Sequence, residues 1–192
     1  AVTAILTNAS EGRRAGARFA IPAKHLPPNG LFDRTETARR IGLASRIADC
    51  DPDRAVTHNK GIMNGVTALA LATGNDTRGI EAAAHAWAGR SGGYAPLSRY
   101  SFDGRILTGE IELPLPMATV GGAVSSHPAA RTSLLIAGVT GAIELARIAA
   151  AVGLAQNFAA LLALVSGGIQ RGHMPLHARR RTYESPGRGA HG

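Results

Sequence analysis

The stretch DPDRAVTHNKGIMNGVTALALATGNDTRGIEAAAHAWAGR, residues 51–90, decides the fold class. From Lys60 to Thr73 it is apolar and reads as a helix. Gly74 then turns the chain. A second helix starts at Asn75 or Asp76, both favourable N-cap residues, and runs to about Arg90, where Ser91-Gly92-Gly93 ends it.

On the N-terminal side, residues 10–23 read as a strand. Ala15, Ala17, Phe19 and Ile21 share one face, and Arg14, Gly16, Arg18 and Ala20 the other. HLPPNG, residues 25–30, is a turn. Residues 33–49 read as a helix started by Asp33 or Thr35, with Ile41, Ala44, Ile47 and Ala48 on its buried side. On the C-terminal side, residues 94–102 and 105–113 form a hairpin turned by Asp103-Gly104 and ended by Pro114 and Pro116. Gly121-Gly122 and His127-Pro128 read as loop, residues 130–140 and 141–166 as helices, and Ser166-Gly167-Gly168 as a break. The expectation is α+β: a helix-rich domain around a long buried central helix, with a small antiparallel sheet. No strand–GxGxxG–helix unit is visible, so the sequence does not contain a complete dinucleotide-binding domain.

A chain of 192 residues with 45% hydrophobic residues can bury a sizeable core and is too apolar to be disordered. Its net charge of +8 has two readings, an anionic partner or an Arg-rich surface with a basic tail. The clusters Arg13, Arg14 and Arg18, then Arg39 and Arg40, then Arg179 to Arg181 lack aromatic interleaving, which argues against nucleic acid. Cys50 is the only cysteine, so no disulfide forms within the chain and a reducing cytoplasm suits it. The N-terminus lacks the order of a signal peptide and enters an apolar stretch without Met, as an internal fragment would, although Met removal gives the same start. Ile148 to Ile169 is uncharged and long enough to span a bilayer. Gln156 and Asn157 in its middle, Gly153 and its many alanines favour a helix buried among helices over a membrane span.

Several residues could carry chemistry. Lys60 stands out because only Lys24 and Lys60 are lysines in an Arg-rich chain. An ammonium can stabilise a developing alkoxide, and a surface lysine at a helix start is the plainer reading. Asp76 either caps a helix or pairs with Lys60 and tunes it; the turn at Gly74 means that spacing alone cannot place the two together. His173 and His177 suit general acid–base work by one imidazole better than a metal site, since no acidic residue completes a zinc pattern. Gln156 and Asn157 are either structural, held by buried partners, or orient a ligand or a catalytic side chain. Arg54 can bind a carboxylate through its planar fork or pair with Asp51 or Asp53. His58 and His127 read as structural histidines.

Taken in order, the blocks point one way. DPDRAVTHNKGIMNG, LATGNDTRGIEAAAHAWAGRSGGY, ELPLPMATVGGA followed by SSHP, VGLAQNFAALLAL and GIQRGHMPLHAR resemble successive blocks of the C-terminal part of class II (bacterial-type) 3-hydroxy-3-methylglutaryl-CoA reductases, over roughly residues 1–179. The resemblance implies an NAD(P)H-dependent reductase, using NADH or NADPH, that converts the HMG-CoA thioester to mevalonate and coenzyme A, or the reverse. It implies a cytoplasmic homodimer or higher homo-oligomer with the active site at a subunit interface, and no nucleic-acid, membrane or metal partner. By block matching, Lys60 is the catalytic lysine, Asp76 the aspartate that tunes it, and His173 the histidine that protonates the departing thiolate, all three converging on one thioester carbonyl. Arg54 would bind the substrate carboxylate, with Asn64, Gln156 and Asn157 beside the substrate.

The departures from the family are equally specific. Its N-terminal glutamate segment and DAMGAN-type cofactor motif are missing. Residues 1–9 look like the last strand of the inserted cofactor domain, which leaves Asn8 as the cofactor-binding residue. Residues 10–166 correspond to the CoA-substrate binding and dimerisation domain, and 167–192 to the start of a C-terminal flap with a divergent basic tail. A catalytically inactive CoA-binding and dimerising remnant is the alternative, and a charge-driven nucleic-acid binder the third reading.

Overall fold

The computed structural model of the chain describes residues 6–28 and 30–166. β1 (Arg14–Pro22) leads through a 3-10 turn (Ala23–His25) to α1 (Arg34–Cys50), α2 (Pro52–Ala72) and α3 (Thr77–Gly89). A hairpin of β2 (Ser98–Phe102) and β3 (Ile106–Pro114) follows, then α4 (Gly122–Ser126), α5 (Pro128–Ala137) and α6 (Ala142–Ser166). The sheet is antiparallel in the order β1-β3-β2, with Arg18 opposite Glu110 and Glu110 opposite Arg99.

Local chemistry explains most boundaries. The Asp33 carboxylate accepts from Glu36 N at 2.8 Å and starts α1. Asp51 does the same for α2, accepting from Asp53 N and Arg54 N, with Pro52 in the first turn. Asp103 closes the hairpin by accepting from Arg105 N and Ile106 N, beside Gly104 at φ 96°. The strand alternation holds: Leu107, Gly109, Ile111 and Leu113 are buried, while Ile106, Thr108, Glu110 and Glu112 are exposed.

Four expectations are corrected. α2 begins at Pro52 rather than Lys60, because the polar run 53–59 hides the buried Ala55, His58 and Asn59. Ile47 is exposed; α1 instead turns Ser45 inward, where its hydroxyl accepts from Tyr100 N at 3.0 Å and docks β2. β2 begins at Ser98 rather than residue 94, because Asn59 pins the preceding segment to α2 through Ala95 O and Leu97 N. Residues 122–126 form a short helix, and α5 runs from Pro128 only to Ala137, where Gly138 adopts φ 65°.

α6 organises the core. It packs against α2, α1, β1 and β3, burying Leu145, Ala149, Leu154 and Leu161. The expectation of a buried central helix holds for that face, whereas Ala151, Ala155, Ala159 and Ala163 are exposed on the other. α6 is long and apolar enough to cross a membrane by length and composition, with 33% of its most apolar window buried. Against α2 it comes very close. A methyl placed on Gly65 would lie 3.0 Å from Val152 O and 2.9 Å from Gln156 Cβ, and one on Gly153 would lie 2.9 Å from Val66 Cγ2. Around this crossing the rings of Phe19 and Phe158 meet edge to face at 5.5 Å.

Gly65→Ala is therefore expected to destabilise the chain by up to about 2 kcal/mol net, because overpacking costs roughly 1–3 kcal/mol against a helix-propensity gain of about 1 kcal/mol. Gly89→Ala, with nothing within 4 Å of the added methyl, is expected to be neutral or stabilising. Urea unfolding midpoints compare the two; a Gly65→Ala variant as stable as the parent would show that the helices can part without cost.

Candidate active site

Two dipeptides on α2 share one construction. Lys60 precedes Gly61 and Asn64 precedes Gly65, and both glycines face α6. Gly61 lies against Asn157 and Ala160, and Gly65 against Val152 and Gln156. Lys60 and Asn64, one helical turn apart, consequently stand exposed beside the seam, and Gln156 is exposed on its other bank. Among the described residues, none of the three side chains makes a hydrogen bond or ion pair. Arg54 sits half-buried one and a half turns earlier. Burial lowers its guanidinium from its usual value, opposed by the Asp51 charge. It makes no ion pair with Asp51 or Asp53 among the described residues; the Asp51 carboxylate is used as the helix cap.

Asp76 is held elsewhere. It caps α3 by accepting from Gly79 N at 3.0 Å and is exposed. Lys60 lies about 18 Å of helix axis before the end of α2 at Ala72, counting 1.5 Å per residue. Gly74, at φ 68°, then turns the chain towards Asp76. No hydrogen bond or ion pair joins the two side chains among the described residues, so one copy of the chain does not bring them together. Asn75 instead fixes the turn: its amide donates to Ala118 O at 3.1 Å and accepts from Ala118 N at 2.7 Å. His173 and His177 lie outside the described residues. Residues 6–9 form no strand, and Asn8 is exposed.

Beneath the Lys60 face runs a buried polar network that joins His58 and Asn157 to Ser98, which the sequence did not single out. Asn157, 1% exposed, donates from Nδ2 to His58 O at 2.9 Å and accepts at Oδ1 from Ser98 Oγ at 3.0 Å. Since Ser98 spends its proton there, it accepts from His58 Nε2 at 2.8 Å. His58 is thereby the Nε2–H tautomer, and its buried Nδ1 has no hydrogen-bond partner. Burial, reinforced by the Arg54 charge, lowers its pKa to about 4. Asn157 thus has both amide atoms engaged internally, and of the Gln156–Asn157 pair only Gln156 reaches the surface. The signal available for Ser98 was slight, a small polar residue outside the motif blocks, whereas His58 was read as a structural histidine and is buried. His127 is exposed at the start of α5 and makes no side-chain hydrogen bond among the described residues.

The cationic and amide groups together form an open face suited to an anionic or carbonyl-bearing ligand. It is not a cleft. A groove of about 870 Å³ runs between the outer sheet face and α3, past Arg18, Trp87 and Arg99, and two grooves of about 740 and 490 Å³ lie elsewhere. None of the expected site residues lines any of the three. Among the described residues, Arg13, Arg14, Arg39 and Arg40 are engaged in the fold. Arg13 donates to Met117 O, Arg14 pairs with Glu112 and stacks on Trp87, and Arg39 and Arg40 pair with Glu36.

Residues 1–178 match the family model described as hydroxymethylglutaryl-coenzyme A reductase. The chain is 57% identical over 158 residues to a 3-hydroxy-3-methylglutaryl-coenzyme A reductase of Archaeoglobus fulgidus, covering 82% of this chain and 36% of that protein. A solved reductase of Streptococcus pneumoniae superposes with a TM-score of 0.81 at 45% identity, covering 95% of this chain and 44% of that one. A second structure of the class II enzyme from that organism, bound to NADPH in open conformations, gives 0.79 at 46% identity, covering 84% and 44%. The chain thus spans well under half the length of these relatives.

His58 also makes stability depend on pH. Its folded pKa, about 4, is depressed below the ordinary 6.5, so falling pH protonates the unfolded chain first. Stability present above pH 6.5 is expected to be lost progressively down to about pH 4, by up to about 3 kcal/mol. Urea midpoints at successive pH values test this; a flat profile from pH 7 to about pH 4.5 would contradict a neutral, desolvated ring.

Proposed function

Because the chain belongs to the hydroxymethylglutaryl-coenzyme A reductase family, we propose that it forms the lysine-bearing part of a site that reduces the HMG-CoA thioester to mevalonate and coenzyme A, or runs the reverse. The observation that carries this reading is the shared exposed face of Lys60, Asn64 and Gln156, with Arg54 beside it. The Lys60 ammonium stabilises the negative oxygen of the hemithioacetal and aldehyde stages. Arg54 takes the substrate carboxylate through its fork, and the Asn64 and Gln156 amides orient the acyl chain. His173 protonates the departing thiolate before it can re-add to the aldehyde.

NADH or NADPH supplies the hydrides when bound. The described residues do not fit that cofactor: their strands are all antiparallel, without the parallel β-α-β unit that cradles a dinucleotide. Its binding, including any part played by Asn8, is assigned to polypeptide that the longer relatives possess.

The separation of Lys60 from Asp76 favours a homodimer. A carboxylate held beyond the far end of α2 meets the lysine most simply across an interface between copies. Val56 and Leu71, both exposed, share the helix stripe of Lys60 and Asn64, which suits burial there. The unpaired, exposed Cys50 suits a reducing cytoplasm, and the contacts of α6 suit a core helix. Residues 6–9 belong in this reading to the cofactor domain, and residues 167–192 to the flap.

The open face also favours a narrower second reading, in which this chain by itself binds and associates but turns over little. Reduced-nicotinamide oxidation with HMG-CoA separates the two, and robust turnover by the isolated chain would refute the narrower one. In a polypeptide of the relatives' full length, Lys60→Ala is expected to lower kcat by roughly 10²–10³-fold, as loss of an oxyanion donor does. Lys60→Arg should lose most activity despite keeping the charge, because the fork geometry differs. Near-normal turnover by the arginine variant would remove Lys60 from the proposed role.

A further inference from the structure

We infer that Ser98 and Asn157, with the His58 they hold, are positioning residues for Lys60 rather than ligands of the substrate; this rests on the reading of Lys60 given above. Asn157 is the hub. Its Nδ2 donates to His58 O at 2.9 Å, adding a bond from α6 to a main-chain carbonyl two residues before Lys60. The same Nδ2 lies 3.2 Å from the methyl position of Gly61, the residue after Lys60. One buried amide therefore touches α2 on both sides of the lysine.

The amide has little freedom to move. Ser98 Oγ donates to Oδ1 at 3.0 Å, which assigns the oxygen to the strand side and the nitrogen to the helix side. Ser98 is in turn fixed by His58 Nε2 at 2.8 Å. The hydrogen bonds close a ring through His58, Ser98 and Asn157 that ties α2, β2 and α6 together at the level of Lys60. All three side chains are at most 1% exposed. Close by, Asn59 clamps the segment leading into β2 by donating to Ala95 O and accepting from Leu97 N.

A buried polar ring of this kind costs desolvation and fixes one arrangement in return. Slippage of α2 on α6 by a fraction of a turn would disturb the close glycine contacts and break the bond from Asn157 Nδ2 to His58 O. Lys60 has no side-chain partner of its own among the described residues, so its backbone sets where the flexible side chain begins. Displacement of a group by about 1 Å can cost a hundredfold in rate.

Ser98→Ala tests this with the least disturbance of the fold, and Asn157→Leu removes the hub itself. In the full-length polypeptide, Ser98→Ala is expected to lower kcat at least roughly tenfold with KM for HMG-CoA within about twofold, the mark of lost transition-state alignment. A variant with parental kcat, or one changed only in KM, overturns the inference while leaving the reductase reading intact. An independent readout uses this chain, whose only lysines are Lys24 and Lys60. Selective ¹⁵N-lysine labelling yields one backbone amide signal from each. Ser98→Ala should move the Lys60 signal and leave that of Lys24. If the full-length parent shows no reduction of HMG-CoA, the functional reading fails, and an unmoved Lys60 signal then overturns the positioning of that residue.

Discussion

The close crossing of α2 and α6 is the contact on which the rest of the structure depends. Gly61 and Gly65 on one helix and Gly153 on the other remove side chains where the axes approach. The space is taken by Ile62 and Val66 from α2 and Val152 from α6. Because interiors pack as densely as organic crystals, few other arrangements of these helices keep the same contacts. Burial of α6 against α1, β1 and β3 follows from the same seat.

Apolar packing has no directional bonds, so it leaves small shifts of such a crossing open. The polar ring of His58, Ser98 and Asn157 removes that freedom. Each of its bonds contributes only about 1 kcal/mol net, but leaving any buried member unpaired costs more, so the ring discriminates between registers more than it adds stability. His58 shows the limit of the arrangement: one ring nitrogen is satisfied and the other is not. Its neutral state follows from burial and from the nearby charge of Arg54. A residue of the proposed substrate face thus acts electrostatically on the network beneath it.

The surface is unevenly finished. The outer sheet face carries opposed charges, with Arg14 paired diagonally to Glu112 and Arg18 directly opposite Glu110. The exposed alanines of α6 and the Val56–Leu71 stripe of α2 are apolar. The chain spans 36–44% of the length of these relatives. The Lys60 face lies on the same side of α2 as that stripe.

Sequence by itself determined the elements whose causes are local. The alternation in β1 and β3, the Asp103-Gly104 turn and the Asp33 and Asp76 caps act within a few residues, and all were legible. The family was legible too, because its motif blocks are long and contiguous. Tertiary structure alone decided which of two adjacent amides faces solvent: Gln156 and Asn157 differ by 100° around α6, and only the crossing with α2 assigns the inner position. It also decided that α2 starts at Pro52, since His58 and Asn59 are polar yet buried through partners about 40 and 100 residues away in sequence. It likewise set the distance between Lys60 and Asp76. Spacing along a chain measures path length, whereas convergence depends on how rigid elements are seated on one another.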